Sequence, residues 1–484
     1  MTLFGTAGIR GPVADQVTPA LALAVGQAAG EPEATVVVGY DGRETSQPLA
    51  EAMAAGLASA GATVRRVGQV PTPTLAYASR GRRGVMITAS HNPPADNGIK
   101  LFEDGVEYDR VAEREIEAAV DDPTYVGWED WGTIDRFDVL EGYRRAVVDY
   151  VRGRFAGEEP VTDAERVTDA EPIADPLPGA DVDRGGSDGL LDGLSVLVDC
   201  GTGVGGRATP QVLDRLGAHV VALNANVDGH FPARESKPTP ETLGDLSRHL
   251  ADGDYDLGLA HDGDADRLVV LGPDGEVVHE DTVLALVAAH YVRNSTADDP
   301  VVVTTPNASA RIDERVRDAG GHVERVRLGA LHEGIASVRE NGGAETTVAF
   351  AAEPWKHIHP AFGGWIDGVA SAAVVAALVA DAGDVATLRE PVTERPYRKV
   401  SVPCPDGAKA DAMARLERPL QNQFAEGTVD TDYGVRITLP DAAWLLVRPS
   451  GTEPYVRLYA ESDEVDELVA TARETIERAI DESS

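Results

Sequence analysis

Uninterrupted aliphatic and β-branched runs recur along the chain, each followed by a polar or glycine turn and then by a helical pattern. Three segments open in this way. They are Thr35–Val38 before Gly39–Arg43, Leu194–Val198 before Asp199–Gly203, and Pro300–Val303 before Thr304–Asn307. Runs that lack polar alternation and feed a helix predict parallel strands buried on both faces in α/β units. Roughly fifty to seventy residues after each opening, the spacing of one or two βαβ units, a second strand ends in a polar loop. The loops are Thr88–Pro93, His261–Arg267 and Ala352–His357, and after the first two a strand resumes at Gly98–Phe102 and Leu268–Leu271. The pattern is a weak threefold internal repeat, and the chemically unusual segments fill the same slot in each copy.

The C-terminal part breaks the pattern. Trp444–Val447, a loop at Arg448–Pro454 and Tyr455–Tyr459 predict a smaller α+β domain closed by a helix from about Asp463. Residues 156–189 are dominated by Asp, Glu, Pro, Gly and Ala, with Val-Thr-Asp-Ala-Glu at 161–165 and again at 167–171. Such sequence has no apolar face and reads as a solvated acidic insertion. The expected division is therefore 1–150, the insertion 156–189, then 190–277, 278–388 and 393–484. The longest apolar stretch, Val369–Ala380, is too short for a bilayer and predicts a buried helix. The first residues carry neither a basic region nor an apolar one, so no secretory signal and no membrane association are expected.

Composition narrows the setting. The 484 residues include 81 acidic and 43 basic ones, a formal charge of −38, and only five of the basic residues are lysine (Lys100, Lys237, Lys356, Lys399, Lys409). Abundant carboxylate with scarce lysine predicts a halophilic cytoplasmic protein, since concentrated salt screens self-repulsion. So negative a surface argues against nucleic acid as a partner. Cys200 and Cys404 supply no disulfide framework, in keeping with a reducing compartment. A lysine retained on this background draws notice wherever it stands near polar loops.

The candidate chemistry sits in the repeated loops. In Thr88–Pro93, Ser90 would lie at the carboxyl end of a strand, where open α/β sheets bind ligands. Its hydroxyl is a weak nucleophile unless activated or already carrying the group to be transferred. His91 beside it could assist proton transfer, although an ordinary strand-ending turn uses the same residue types. Lys100 follows on the next strand, able to neutralise phosphate or, with a depressed pKa, to act as a base. Asp262, Asp264 and Asp266 alternate, so on an extended segment their carboxylates point the same way. Three such groups repel one another unless a cation lies among them, and oxygen-only ligands select Mg²⁺ or Ca²⁺. An EF-hand is excluded because Arg267 and Leu268 stand where its glycine turn would be. Gly201–Gly206 satisfies G-x-G-x-x-G, yet the next strand, His219–Leu223, ends in Asn224 rather than an acid, so dinucleotide binding is not expected.

Taken together, Phe4–Gly11, Thr88–Pro93, Asp262–Arg267 and Arg448–Pro454 occur in the order and spacing of the α-D-phosphohexomutase superfamily, which this chain resembles over nearly its whole length. The resemblance implies an α/β protein of three similar α/β domains with mixed sheets plus a C-terminal α+β domain, heart-shaped, with a central cleft collecting one loop from each. It implies a phosphoserine at Ser90, Mg²⁺ held by Asp262, Asp264, Asp266 and the phosphoserine, and a transfer site lined by Arg10, Lys100 and Arg267. The reaction implied is interconversion of hexose 1- and 6-phosphates through a hexose 1,6-bisphosphate, by a monomer or homodimer, with motion expected near residues 385–395. Phosphoglucosamine mutase and a non-catalytic sugar-phosphate-binding relative are the alternatives. Arg448, Ser450, Gly451, Thr452 and Arg457 match the loop gripping the phosphate that is not transferred; a glycine turn and an arginine fork suit that task. The family reads its sugar with Gly-Glu-x-Ser-Gly-His, of which Ala352–His357 keeps only Glu353 and His357, with Trp355 and Lys356 in place of smaller residues. The hinge motif is only loosely kept at Arg327–Ala330.

Overall fold

The computed structural model describes residues 3–5, 8–123, 125–157, 189–450 and 453–481. The acidic insertion, except for its outermost residues, lies outside them. Two compact units emerge: one is Met1–Glu280 with Trp355–Leu388, the other Asp281–Pro354 with Arg389–Ser484.

The first seven strands are β1 (Ile9–Pro12), β2 (Thr35–Tyr40), β3 (Thr63–Gln69), β4 (Arg83–Ile87), β5 (Asp96–Glu103), β6 (Val106–Glu107) and β7 (Ile134–Arg136). They form one mixed sheet in the order β1-β5-β4-β2-β3-β7, with β6 on β5. Its core strands read as predicted: Val36, Val38, Val85 and Ile87 are buried in an aliphatic cluster with Leu49, Met53 and Leu57. Helix α1 (Pro19–Ala29) begins with proline in its first turn behind Thr18, whose hydroxyl accepts the Leu21 N–H. It packs on α2 (Ser46–Ser59) through glycine: a Cβ on Gly26 would stand 2.5 Å from the Met53 carbonyl, and one on Gly56 would overlap that of Leu23.

A second sheet repeats the arrangement in smaller form. Strands β8 (Ser195–Asp199), β9 (His219–Leu223), β10 (Leu257–Ala260) and β11 (Val269–Leu271) run in the order β11-β10-β8-β9. In both sheets the opening strand (β2, β8) is flanked by two parallel neighbours, and one of these (β4, β10) turns back into an antiparallel strand (β5, β11). In the second unit, β12 (Asp299–Thr304) again has two parallel neighbours, β13 (His322–Arg325) and β14 (Thr346–Glu353). The threefold repeat expected from the runs is thus a repeated sheet order. The first two polar loops follow β4 and β10, whereas of the expected loop Ala352–His357 only Pro354 and Trp355 lie outside strands, Ala352 and Glu353 ending β14 and Lys356 and His357 opening the next strand.

Strand β15 (Lys356–Ile358) belongs to the first unit, as does the helix Gly368–Ala382, which is buried along most of its length. The C-terminal sheet is wholly antiparallel: β16 (Tyr397–Pro403), β17 (Thr428–Asp430), β18 (Val435–Thr438), β19 (Trp444–Pro449) and β20 (Tyr455–Glu461), ordered β16-β20-β19-β18-β17. Helices Lys409–Gln423 and Val465–Asp481 cover it through Leu416, Leu420, Leu468 and Ile476. Among the described residues no helix is long and apolar enough to cross a membrane.

Candidate active site

Where β4 ends, the chain turns at once, and Ser90 takes a left-handed backbone with φ 53°. That conformation strains a residue bearing a Cβ and persists only where the surroundings enforce it. Here the Thr88 hydroxyl accepts the Ser90 N–H at 2.8 Å while donating to Asp41 at 2.7 Å. Ser90 is fully buried, and its hydroxyl donates to Asp262 Oδ2 at 2.8 Å. His91 Nδ1 lies 3.3 Å from the same Oγ. Burial first, and then the charges of Arg267 and Arg10, push the His91 imidazole down to about 3. It is therefore neutral near pH 7, a hydrogen-bonding partner for the serine oxygen rather than an acid.

The three aspartates converge, though not for the expected reason. Residues 263–265 form a turn rather than an extended segment, with Ala265 at φ 58°. The turn brings carboxylate oxygens of Asp262, Asp264 and Asp266 within 4.8 Å of one another, and all three residues are buried. Thr72, at the start of α3 (Thr72–Ala78), clasps Asp264 twice: its N–H bonds the Asp264 carbonyl at 2.9 Å and its hydroxyl bonds Oδ2 at 2.7 Å. Lys100 Nζ reaches Asp266 at 2.9 Å and Asp264 at 3.5 Å, and Arg267 Nε lies 3.6 Å from Asp262. Burial raises the Asp262 pKa, and the neighbouring Asp266 and Asp264 charges raise it further. Asp266 moves the other way, because Lys100, Lys356 and Arg267 outweigh its burial. Asp264 Oδ1 and Asp266 Oδ1 are buried with no hydrogen-bond partner. Uncompensated buried carboxylate oxygens are costly. Orphaned oxygens in an all-oxygen donor set fit a hard divalent cation of the Mg²⁺ kind.

Lys100 is buried between the aspartates and Glu107. Burial alone would lower its pKa, but Asp266, Asp264 and Glu107 together hold it well above its ordinary value. The Lys100 ammonium thus brings positive charge to two of the three clustered aspartates.

Arg10, on β1 opposite Gly98, and Lys356, which bridges Arg267 at the start of β15, both act electrostatically on His91. Trp355 at φ 67° bonds the Leu268 N–H through its carbonyl at 3.0 Å and packs partly buried beside Leu197, Leu243 and Leu246. The bulk that distinguishes this segment is therefore placed in the apolar packing of the second sheet. His357 is buried, and its carbonyl accepts the Asp367 N–H. In the second unit the Gly329 N–H points to Glu353 Oε2 at 3.4 Å.

The phosphate-loop candidates lie on β19, β20 and the turn between them. Arg448 and Arg457 stand directly opposite across the ladder, where two like charges repel unless an anion or a carboxylate intervenes. Arg457 pairs with Glu453, and Arg448 donates to the Tyr459 hydroxyl at 3.1 Å, leaving its buried Nε without a partner. Ser450 is held by its N–H on the Tyr455 carbonyl. Gly451 and Thr452 lie outside the described residues.

Sequence reasoning missed several groups that shape these loops. Asp41 and Arg43, Thr72 and Ser236 hold the serine and aspartate loops, and Lys409 Nζ donates to the Ser450 and Glu453 carbonyls at 2.7 and 2.6 Å. Only Lys409 carried a signal, as one of five lysines. The glycine-rich segment at 201–206 is explained as well. Val204 N–H bonds the Gly263 carbonyl at 3.1 Å, and a Cβ on Gly203 would stand 2.6 Å from that oxygen. Those glycines let one turn buttress the aspartate loop.

Family models agree with this geometry. Phosphoglucomutase/phosphomannomutase α/β/α domain I matches residues 1–126, α/β/α domain II matches 187–275, and the C-terminal domain matches 400–479. The chain is 37% identical over 496 residues to a phosphopentomutase of Thermococcus kodakarensis, covering 100% of this chain and 99% of that one. It is 38% identical to a probable phosphoglucosamine mutase of Methanopyrus kandleri, covering 98% of each. A phosphoglucomutase/phosphomannomutase family protein from Burkholderia thailandensis shares the fold at TM-score 0.79 and 24% identity, over 100% of this chain and 97% of that one. An N-acetylphosphoglucosamine mutase of Aspergillus fumigatus, solved with GlcNAc-6P and magnesium, does so at TM-score 0.62 and 16% identity, over 100% and 96% of the two chains. The chain belongs to the phosphoglucomutase/phosphomannomutase family. It is an intramolecular phosphotransferase, a phosphomutase.

Proposed function

We propose that this phosphomutase interconverts hexose 1-phosphates and hexose 6-phosphates, with Ser90 as the phosphoryl carrier. The reading rests chiefly on the strained, buried Ser90, whose Oγ lies 2.8 Å from one of three clustered aspartates. In the first transfer the Oγ–P bond of phosphorylated Ser90 breaks as a P–O bond forms to a sugar hydroxyl, and the hydroxyl proton ends on the freed Ser90 Oγ, 3.3 Å from His91 Nδ1. The resulting bisphosphate turns around, and its other phosphoryl group returns to Ser90, releasing the isomer. Asp262, Asp264 and Asp266 would hold Mg²⁺, which supplies neutralisation of charge on the transferring oxygens when bound. Arg10, Arg267, Lys100 and Lys356 add fixed positive charge, and neutral His91 hydrogen-bonds the serine oxygen. The role of Arg448, Ser450, Gly451, Thr452 and Arg457 is to grip the phosphate that is not transferred. Glu353 and His357 are assigned to the sugar hydroxyls.

The choice of sugar is a second question. Relatives of 37% and 38% identity carry the names phosphopentomutase and probable phosphoglucosamine mutase, and Lys356 gives this chain a cation that the family's usual sugar-reading motif lacks. Glucose, mannose, glucosamine and pentose monophosphates therefore belong side by side in one coupled assay, run in molar salt as the acidic composition suggests.

Mass spectrometry of the purified protein should find an increment of about 80 Da on the Ser90 peptide, one phosphoryl group. Ser90→Ala should lower turnover by orders of magnitude. An unmodified Ser90 together with undiminished activity in the alanine variant would sink the assignment.

A further inference from the structure

Arg43 lies just beyond β2, and its side chain is completely shielded from solvent. A guanidinium has five N–H donors in a rigid fork, and all five are used here. Nε bonds Asp41 Oδ2 at 3.1 Å. Nη1 donates to the carbonyls of Pro93 at 2.6 Å and Asp96 at 3.0 Å. Nη2 donates to those of Ser90 at 3.0 Å and Asn92 at 2.7 Å. One side chain thus grips four carbonyls along the whole turn that carries the nucleophile, while the Phe231 ring packs against the guanidinium at 5.1 Å.

The Ser90 carbonyl has a second donor from a distant segment. Ser236 Oγ donates to it at 2.9 Å and itself accepts the N–H of Gly263 at 3.1 Å. Gly263 sits between two metal-ligand candidates, so the serine turn and the aspartate turn share one hydroxyl. The approach is too close for any side chain: a Cβ on Gly263 would lie 2.7 Å from Ser236 Oγ and 2.8 Å from the Ser90 carbonyl oxygen.

We propose that Arg43 and Ser236 form a clamp on the Ser90 carbonyl that holds the nucleophile in its left-handed conformation and in register with the aspartate turn. Neither side chain reaches the Ser90 hydroxyl, so both are positioning residues. Relieved of the clamp, Ser90 would relax toward an ordinary backbone conformation and swing its Oγ away from Asp262. A lysine at 43 keeps the charge but offers a point donor that cannot span four carbonyls. Misplacement by about 1 Å costs on the order of a hundredfold in rate.

The inference rests on Ser90 being the phosphoryl carrier. The test is steady-state kinetics of Arg43→Lys and Ser236→Ala beside Ser90→Ala, with thermal melting of each. The clamp predicts kcat lower by on the order of a hundredfold in Arg43→Lys and roughly tenfold in Ser236→Ala. It also predicts KM within about twofold of wild type and a Ser236→Ala melting temperature within a few degrees of it. Wild-type kcat in both clamp variants, with Ser90→Ala inactive, overturns the clamp alone. An active Ser90→Ala overturns the carrier assignment and the clamp with it. A loss that tracks unfolding, or moves kcat and KM together, assigns these residues to stability and also overturns the clamp. Should Arg43→Lys fail to fold, kcat of Ser236→Ala decides.

Discussion

At the scale of single residues, the site is built from groups that sequence shows plainly and supports that it hides. Ser90 and the three aspartates stand in contiguous motifs, so residue type, spacing and the resemblance those motifs carry singled them out as candidates. Thr72, Arg43 and Ser236 act on main-chain atoms or on one carboxylate oxygen from far along the chain, and such contacts leave no pattern in the sequence. Thr72 shows what such a support does. Its hydroxyl engages Asp264 Oδ2 at 2.7 Å, which leaves the partnerless Oδ1 as the oxygen free to bind a cation. Removing a hydrogen bond that orients a ligand typically weakens metal binding about 10- to 100-fold. Thr72→Val keeps the shape and deletes the hydroxyl, so its Mg²⁺ dissociation constant by calorimetry should rise by about that factor. Equal affinity in the two proteins would show that the threonine does not orient Asp264. The aspartates also hold a caution about reading spacing. Their alternation suggested an extended strand, whereas a turn through Ala265 at φ 58° brings them together, so the right cluster was predicted from the wrong backbone.

At the scale of elements, the runs without polar alternation became the parallel strands they predicted, because burial on both faces leaves a continuous apolar signature. The repeated sheet order explains why three unrelated-looking loops share one slot: each follows the strand beside its opening strand. What the runs could not show is how closely helices approach. Helices α1 and α2 cross through Gly26 and Gly56, where a Cβ at 56 would overlap the Leu23 carbonyl. Intrinsic propensity favours alanine over glycine inside a helix by about 1 kcal/mol. Forcing a methyl against backbone in a packed interface costs about 1–3 kcal/mol. Since the obstructing atom is a carbonyl and no rotamer relieves it, overpacking wins. Gly56→Ala should therefore lower the unfolding free energy by about 1 kcal/mol or more, measured by urea denaturation at constant salt. A more stable variant would mean the helices separate easily at that point.

At the scale of the whole molecule, charge and buried histidine pull stability in opposite directions as pH falls. A chain of formal charge −38 repels itself, and protonating surface carboxylates relieves that repulsion. Molar KCl shortens the screening length to about 3 Å and removes most of this effect, so the midpoint of thermal unfolding should rise with KCl at neutral pH. In that salt the histidines become visible. His359 is buried and held well below its ordinary pKa by burial, then by His357 and Arg154; His357 is pushed by burial down to about 4. Around His359 stand the ring of Tyr150, His357 and the Ser371 hydroxyl, 2.9 Å from Nε2. Ser371 spends its own proton on the Asp367 carbonyl, so His359 Nε2 must carry a hydrogen and donate. A histidine whose folded pKa lies below its unfolded value near 6.5 adds stability that is present above pH 6.5. That stability is lost as pH falls toward the folded value, since the unfolded chain binds the extra proton. Each such group steepens the fall by up to about 1.4 kcal/mol per pH unit. His359→Gln keeps an N–H for Ser371 and cannot titrate, so its unfolding free energy should decline less steeply than that of wild type between pH 6.5 and pH 4. Parallel declines in molar KCl would place the acid sensitivity elsewhere in the fold.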